Sequence, residues 1–390
     1  MTVLGTAPER PASTDDRRTR AAPFVVVGTP GDRRVTLFGD ALRAHGLPEP
    51  LVVPWRDVLA GAGFGIPERA RVRVDSPGED PVADGLLRGP GAPTRVGGGA
   101  SWHAAFVRGL ERVRRAVART PGARLLGDVD EIAVMFDKRR SHARLLAAGV
   151  PVPPALPEPI AGYSHLRDLM ARSGWGRVFV KPAHGSSASG IVALQVRAAR
   201  IHAISSVELV RPRPEAAGRV GPELHNSLRV RAYTDEADVA MIIDTLAPDG
   251  LHVERWFPKA SVDGRVFDLR VVVVGGRPTH AVVRASRGPM TNLHLGGTRG
   301  DLDQVRARLG AAGWERAMRT CARAAACFPG SVMVGVDLMV GIGWRRFAVA
   351  EVNAFGDLLP RLTGLPGSGA AGLDCHAAQV AHILALRSAA

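Results

Sequence analysis

Three lysines stand out in a chain of 390 residues: Lys138, Lys181 and Lys259 are the only ones among 51 basic side chains, so the other 48 are arginine. Where a surface charge would serve, this chain uses arginine. A lysine retained against that bias offers a compact ammonium, which suits a point contact to a phosphate oxygen where a guanidinium fork would be too large. Lys181 ends the apolar run Val178-Phe179-Val180, Lys138 lies just before a helix in Met135-Phe136-Asp137-Lys138, and Lys259 follows Val253-Glu254-Arg255-Trp256-Phe257-Pro258.

The loop after Lys181 reads His184-Gly185-Ser186-Ser187-Ala188-Ser189-Gly190. Its small residues let backbone N–H groups approach an anion, and its serines add hydroxyl donors. GxxxxGK[ST] occurs nowhere, so any phosphate cradle here is a strand–loop–strand. Acidic residues mark two later strands: Asp337 sits within Val334-Gly335-Val336-Asp337-Leu338-Met339, and Glu351 with Asn353 ends Val349-Ala350-Glu351-Val352-Asn353. Glu351 and Asn353 are two apart and share a strand face. With Asp337 on a neighbouring strand they make a hard-oxygen set suited to Mg²⁺ on nucleotide phosphates, with room for two ions about 4 Å apart; Mn²⁺ is the alternative ion. The competing reading is a carboxylate paired with one of the many arginines. Between these stretches lie Asp268-Leu269-Arg270, Arg284, Arg287 and Asn292-Leu293-His294-Leu295-Gly296-Gly297. Arginines on adjacent strands can clamp a phosphoryl group or a carboxylate, or can be ordinary sheet-surface charges.

The elements that must hold these groups are readable in outline. Residues 1–22 read as a disordered arm. Phe24–Val27, the loop Gly28-Thr29-Pro30-Gly31-Asp32 and a helix over about 34–45 open a doubly wound α/β unit without the full GxGxxG spacing. Strands follow at 51–54 and 71–75, a Gly/Pro-rich loop at 76–100, and a helix at 102–119 whose apolar positions recur at helical spacing. One or two helices span 131–148. Strands are predicted at 178–181, 191–196, within 201–232, at 251–257, 266–274, 279–285, 332–340 and 346–352. Helices are predicted at 234–246, with Thr234 as N-cap, at 302–327 and at 374–386. No repeat of 20–50 residues is present.

Composition excludes several classes. With 46% apolar and 23% charged residues the chain is neither globally disordered nor fibrous. No apolar run approaches the roughly 18 residues of a membrane span, and no apolar segment of a signal peptide opens the chain, so a soluble cytoplasmic protein with no membrane partner is expected. Three cysteines, none in a CxxC pair, argue against a disulfide framework.

Taken in order, Phe136-Asp137-Lys138, Gly149-Val150-Pro151-Val152-Pro153, Val180-Lys181-Pro182 with its loop, Val253 to Phe257, Asp268-Leu269-Arg270, Asn292 to Gly297, Val336-Asp337 and Glu351-Val352-Asn353 resemble the ATP-grasp superfamily over roughly residues 124–362. The nearest look is to carboxylate–amine ligases that add amino acids to peptides and proteins or act in peptide natural-product pathways. The resemblance implies an α/β (α+β) chain. A Rossmann-like domain (23–122) precedes linker helices (123–175), a small lobe carrying the phosphate loop (176–258) and a large C-terminal lobe (259–390). It implies that Lys138 and Lys181 bind the α- and β-phosphates of ATP under the loop His184, Gly185, Ser186, Ser187, Ser189 and Gly190. Glu254, Trp256 and Phe257 would line the adenine pocket, with Lys259 nearby and Ser261 or Asp263 at the ribose. Asp337, Glu351 and Asn353 would hold Mg²⁺, Arg270 and Arg284 would meet the γ-phosphoryl, and Asn292 would sit at the acceptor side. The segment after Asn353, Ala354-Phe355-Gly356-Asp357, departs from the Pro-Gly frequent in peptide-modifying relatives.

The expected reaction joins a small-molecule or peptide carboxylate to an amine through an acyl phosphate. A net charge of +14 would steer an acidic substrate, and a homodimer is compatible with the sequence. Two other readings remain: a kinase of the same fold passing phosphate to a hydroxyl, and a basic nucleic-acid-binding protein. The second lacks a basic helix, zinc-ligand spacing or an aromatic platform.

Overall fold

The computed structural model describes residues 22–78, 80–157, 159–185, 188–198, 200–211, 221–356, 359 and 361–388. Three sheets follow one another along the chain. β1 (Phe24–Gly28), β2 (Leu51–Pro54), β3 (Arg71–Val74) and β4 (Arg124–Leu125) form a parallel sheet in the order β2-β1-β3-β4. The alternation along β1 explains its two covered faces. Phe24 and Val26 pack with Phe38 and Leu42 of α1 (Arg33–Ala44), while Val25 and Val27 join Trp55 of α2 (Trp55–Ala60) and Phe106 of α4 (Gly99–Ala118).

Between α2 and α4 the predicted loop contains a helix, α3 (Pro81–Arg88). Glycine and proline content masked its local signals. The Asp80 carboxylate accepts from Val82 and Ala83 N–H groups, Pro81 opens the first turn, Gly89 closes the last, and Ala83 and Leu87 are buried.

Two short helices, α5 (Val129–Met135) and α6 (Lys138–Ala147), resolve the predicted one-or-two-helix stretch. Lys138 is the first residue of α6 rather than its lead-in, because Asp137 caps the N–H groups of Arg139 and Arg140. α7 (Tyr163–Arg172) and α8 (Glu236–Leu246) cover one face of an antiparallel sheet in the order β8-β7-β6-β5-β9. Its strands are β5 (Arg177–Pro182), β6 (Val192–Arg197), β7 (Arg200–Val210), β8 (Glu223–Tyr233) and β9 (Leu251–Arg255). The N-cap of α8 is Asp235, not Thr234: its carboxylate accepts from Ala237 N–H at 2.8 Å, a stronger acceptor than a hydroxyl.

The third sheet is antiparallel, in the order β13-β12-β11-β14-β15, with β10 (Ser261–Val262) on the flank of β11 (Arg265–Val274). The other members are β12 (Arg277–Ser286), β13 (Thr298–Gly300), β14 (Met333–Val340) and β15 (Phe347–Asn353). The long helix α9 (Leu302–Ala326), interrupted at Gly310 where φ is +66°, packs on one face. The last helix, α10 (Cys375–Ser388), packs against α1 and against the far end of the other face. Cys321, Cys327 and Cys375 are buried and form no disulfide. Among the described residues no helix is long and apolar enough to cross a membrane.

Candidate functional site

Both antiparallel sheets turn their polar alternate positions toward a common cleft. On β5, Val178 and Val180 enter the small-lobe core, which leaves Phe179 and Lys181 on the cleft face. On the adjacent β9, Val253 is in the core and Glu254 faces the cleft. Lys181 Nζ donates to Glu254 Oε2 at 2.7 Å, and His252 Nε2 lies 2.9 Å from Glu254 Oε1. Burial pushes the Glu254 carboxyl upward, but the Lys181 ammonium and the His252 bond outweigh it and hold the group at about 2. Burial lowers the His252 imidazole, so the ring is neutral and Nε2–H donates.

Lys138 reaches the cleft from the start of α6. Its Nζ donates to Gly185 O and lies 3.0 Å from Glu351 Oε1, while its backbone N–H bonds Ala183 O at 2.9 Å. Lys138 thus ties the loop after β5 to the end of β15. Lys259 comes from the strand-to-strand crossing and donates to Pro289 O (2.9 Å) and Thr291 Oγ1 (3.3 Å). Loss of solvation around its ammonium lowers its pKa, with Asp268 opposing.

The large-lobe wall is a charged ladder fixed by strand register. Arg270 pairs with Asp337 across β11 and β14, and Asp268 pairs with Arg284 across β11 and β12. Arg270 donates from Nε to Asp337 Oδ1 and from Nη2 to Oδ2 at 3.1 Å. Arg284 places Nη2 3.0 Å from Asp337 Oδ2 and donates from Nε to Asp268 Oδ1 at 2.7 Å. Burial acts to raise the Asp337 carboxyl, and the two guanidiniums hold it below the usual range. The reciprocal attraction raises Arg284 against the effect of its burial.

Most of the sequence candidates therefore converge. Lys138, Lys181, Gly185, Ser189, Glu254, Phe257, Lys259, Arg284, Asn292, Asp337 and Glu351 line the cleft. Others stand behind it or outside it. Arg270 backs Asp337, and Asn353 donates from Nδ2 to Gly335 O at 3.3 Å beside the ladder. Trp256 does not reach the cleft; its ring packs behind Phe179, with centroids 4.8 Å apart, so of the two aromatic candidates Phe257 is the lining one. His184 turns toward α4, stacked on His103 at 4.1 Å with its ring near Phe136 O. Gly190 supplies a close approach: φ is +73°, and a Cβ there would meet Pro182 Cγ at 2.6 Å. Ser261 and Asp263 sit on the β10–β11 hairpin and neither lines the cleft. Ser186 and Ser187 lie outside the described residues.

The apolar walls were missed: Phe179, Ile191, Met290 and Met339. The signal was present, since Phe179 is two before Lys181 and Met339 two after Asp337, on the same strand faces. Among the described residues no three carboxylates, imidazoles or thiolates gather as a metal cluster; the candidate set is two carboxylates and one amide. That donor set fits a hard cation that brings phosphate oxygens with it. Each carboxylate now holds a protein cation, and a metal–polyphosphate pair offers both partners a replacement.

The sequence matches no protein-family model and no curated protein. Its structure is similar to that of the D-cycloserine synthetase DcsG, with a TM-score of 0.54 and 17% identity, covering 93% of this chain and 99% of that one. It is also similar to the ATP-grasp ligase PsnB complexed with minimal precursor, with a TM-score of 0.50 and 18% identity, covering 94% and 99%. The chain has the ATP-grasp fold.

Proposed function

We propose that the protein is an ATP-dependent carboxylate–amine ligase. The observation that carries this reading is the cleft itself, in which two sheets set three lysines and Arg284 against Glu254, Asp268, Asp337 and Glu351. Lys138 and Lys181 would bind the α- and β-phosphates, with Gly185 and Ser189 against them. Glu254 and Phe257 would meet the adenine between the apolar walls of Phe179 and Met339. Asp337, Glu351 and Asn353 would hold Mg²⁺, which supplies neutralisation of phosphate charge.

The remaining work falls to positioned cations. Arg284, held by Asp268, and Arg270 would meet the charge developing on the transferred phosphoryl, while Asp337 would be a ligand of the ion. A substrate carboxylate oxygen forms a bond to the γ-phosphorus as the bond to ADP breaks. The amine lone pair then attacks the acyl carbon, and phosphate leaves with that oxygen and takes up the proton the nitrogen gives up. Asn292 would sit on the acceptor side, and no covalent enzyme intermediate is required. The test uses ¹⁸O-labelled carboxylate: one label should appear in the released phosphate. Condensation without label in phosphate would exclude the acyl phosphate.

A further inference from the structure

A second cavity lies at the carboxyl end of β3, with Arg73, Asp75 and Gln379 in its lining, and there Asp75 Oδ2 is buried with no hydrogen-bond partner among the described residues. Glu254 in the cleft is the opposite case. It is 4% exposed, and both of its oxygens are bonded: Oε2 by Lys181 at 2.7 Å and Oε1 by His252 at 2.9 Å. The proposed nucleotide gives Lys181 a task and His252 none.

Strand geometry brings these groups together. Residues 252 and 254 share one face of β9, and His252 is paired with Lys181 across β5 and β9. His252 is 4% exposed and does not line the cleft. Its ring packs against that of His142, one turn along α6 from Lys138, with centroids 4.9 Å apart. His142 is fixed in turn, its Nε2 donating to Pro153 O at 2.8 Å. The His252 ring thus holds a donor on Glu254 Oε1 from outside the cleft.

A nucleotide would separate the two bonds. Lys181 would turn its ammonium to phosphate oxygens, and a glutamate side chain with no second partner would follow it, since its own torsions are free to turn. Held by His252, Glu254 stays in place and presents the vacated Oε2. That oxygen accepts from an N–H group and repels another acceptor. Adenine carries an amino group at C6, and hypoxanthine carries an oxygen there.

We propose that His252 is a positioning residue: by fixing Glu254 Oε1 it makes Oε2 select a purine with a 6-amino group over one with a 6-oxo group. That Glu254 meets the base rests on the reading above.

Calorimetric titration of the full chain with ADP and with inosine diphosphate, each with Mg²⁺, tests this in the parent, His252→Gln and His252→Leu. The parent should bind ADP about tenfold to a hundredfold more tightly than inosine diphosphate. His252→Gln, whose amide nitrogen can take the place of Nε2, should keep most of that ratio. His252→Leu should bring the ratio to within about threefold by weakening ADP, with inosine diphosphate little changed. A structural role alone would weaken both nucleotides together. An undiminished ratio in His252→Leu, equal weakening of both nucleotides, or a His252→Gln ratio as low as that of His252→Leu would each overturn the proposal. If His252→Leu does not fold, the ¹⁵N shifts of the His252 ring in the parent decide: the proton should sit on Nε2 with and without ADP, and a ring protonated at Nδ1 alone would overturn the proposal. A parent that binds no ADP removes the ligase reading and this inference with it. A parent that binds ADP and inosine diphosphate equally keeps its nucleotide site and removes this inference alone.

Discussion

The two cavities use the same residue types and differ in how charge is matched. In the cleft every lining carboxylate holds a cation: Glu254 with Lys181, Glu351 with Lys138, Asp337 with Arg270 and Arg284, and Asp268 with Arg284. At the carboxyl end of β3, Arg73 holds one oxygen of Asp75, and the other oxygen has no hydrogen-bond partner among the described residues. A matched set can exchange partners with an incoming ion pair at little electrostatic cost, because no charge is stranded before or after. The unmatched oxygen of Asp75 has no such partner to exchange.

Breaking the match at Asp337 should have the largest effect. Asp337→Asn leaves Arg270 and Arg284 short of a counter-charge, and a loss of about 3–5 kcal/mol is expected in urea unfolding. ADP release under ligase conditions should fall by roughly a hundredfold to a thousandfold. A variant as stable and active as the parent would show that the ladder is not a matched set.

Removing Lys181 comes next. Glu254 is held at about 2, below its ordinary value of 4.5, so it adds stability above about pH 4.5 that is lost as pH falls toward 2. In Lys181→Met burial prevails, the Glu254 carboxyl rises, and about 3 kcal/mol should be lost at pH 7. The sign of this group's contribution then reverses: acidification from neutral pH should restore stability to the variant. Urea midpoints compared between pH 4 and 7 read this directly, and parallel curves for parent and variant would break the pairing argument.

The smallest effect concerns the second cavity. His376 is buried and neutral, flanked by Arg73 from β3, Arg34 from α1 and His280 from β12. Its folded pKa is depressed from 6.5 to about 2, so the unfolded chain takes up the extra proton below pH 6.5. Stability should therefore fall by about 1.4 kcal/mol per pH unit on acidification below 6.5, and His376→Asn should flatten that slope. An unchanged slope would mean that burial and the flanking cations do not hold His376 neutral.

The cleft was legible because its charged residues interrupt apolar strands. Lys181, Asp337 and Glu351 stand out where alternation would otherwise bury a hydrophobe, and register then brings Arg270 to Asp337. Trp256 and Phe257 could not be separated from spacing alone, since neighbouring residues differ only in which face they take once the strand ends at Arg255. The helix at Pro81–Arg88 was hidden by composition although its Asp80–Pro81 start was written in the chain. The second cavity was not legible at all. Arg73 and Gln379 are 306 positions apart, and only the packing of the last helix on the first sheet brings them together.

The three cysteines have a practical consequence. Cys321 is inaccessible and its thiol is pushed far up by burial, and Cys375 is 2% exposed, so neither presents a thiolate while the fold is intact. With lysine confined to three positions, labels on side-chain amines report on the cleft, whereas a maleimide on Cys321 or Cys375 would count only molecules that have opened. The mass added to each chain by that reagent would give the opened fraction over time, without any introduced probe.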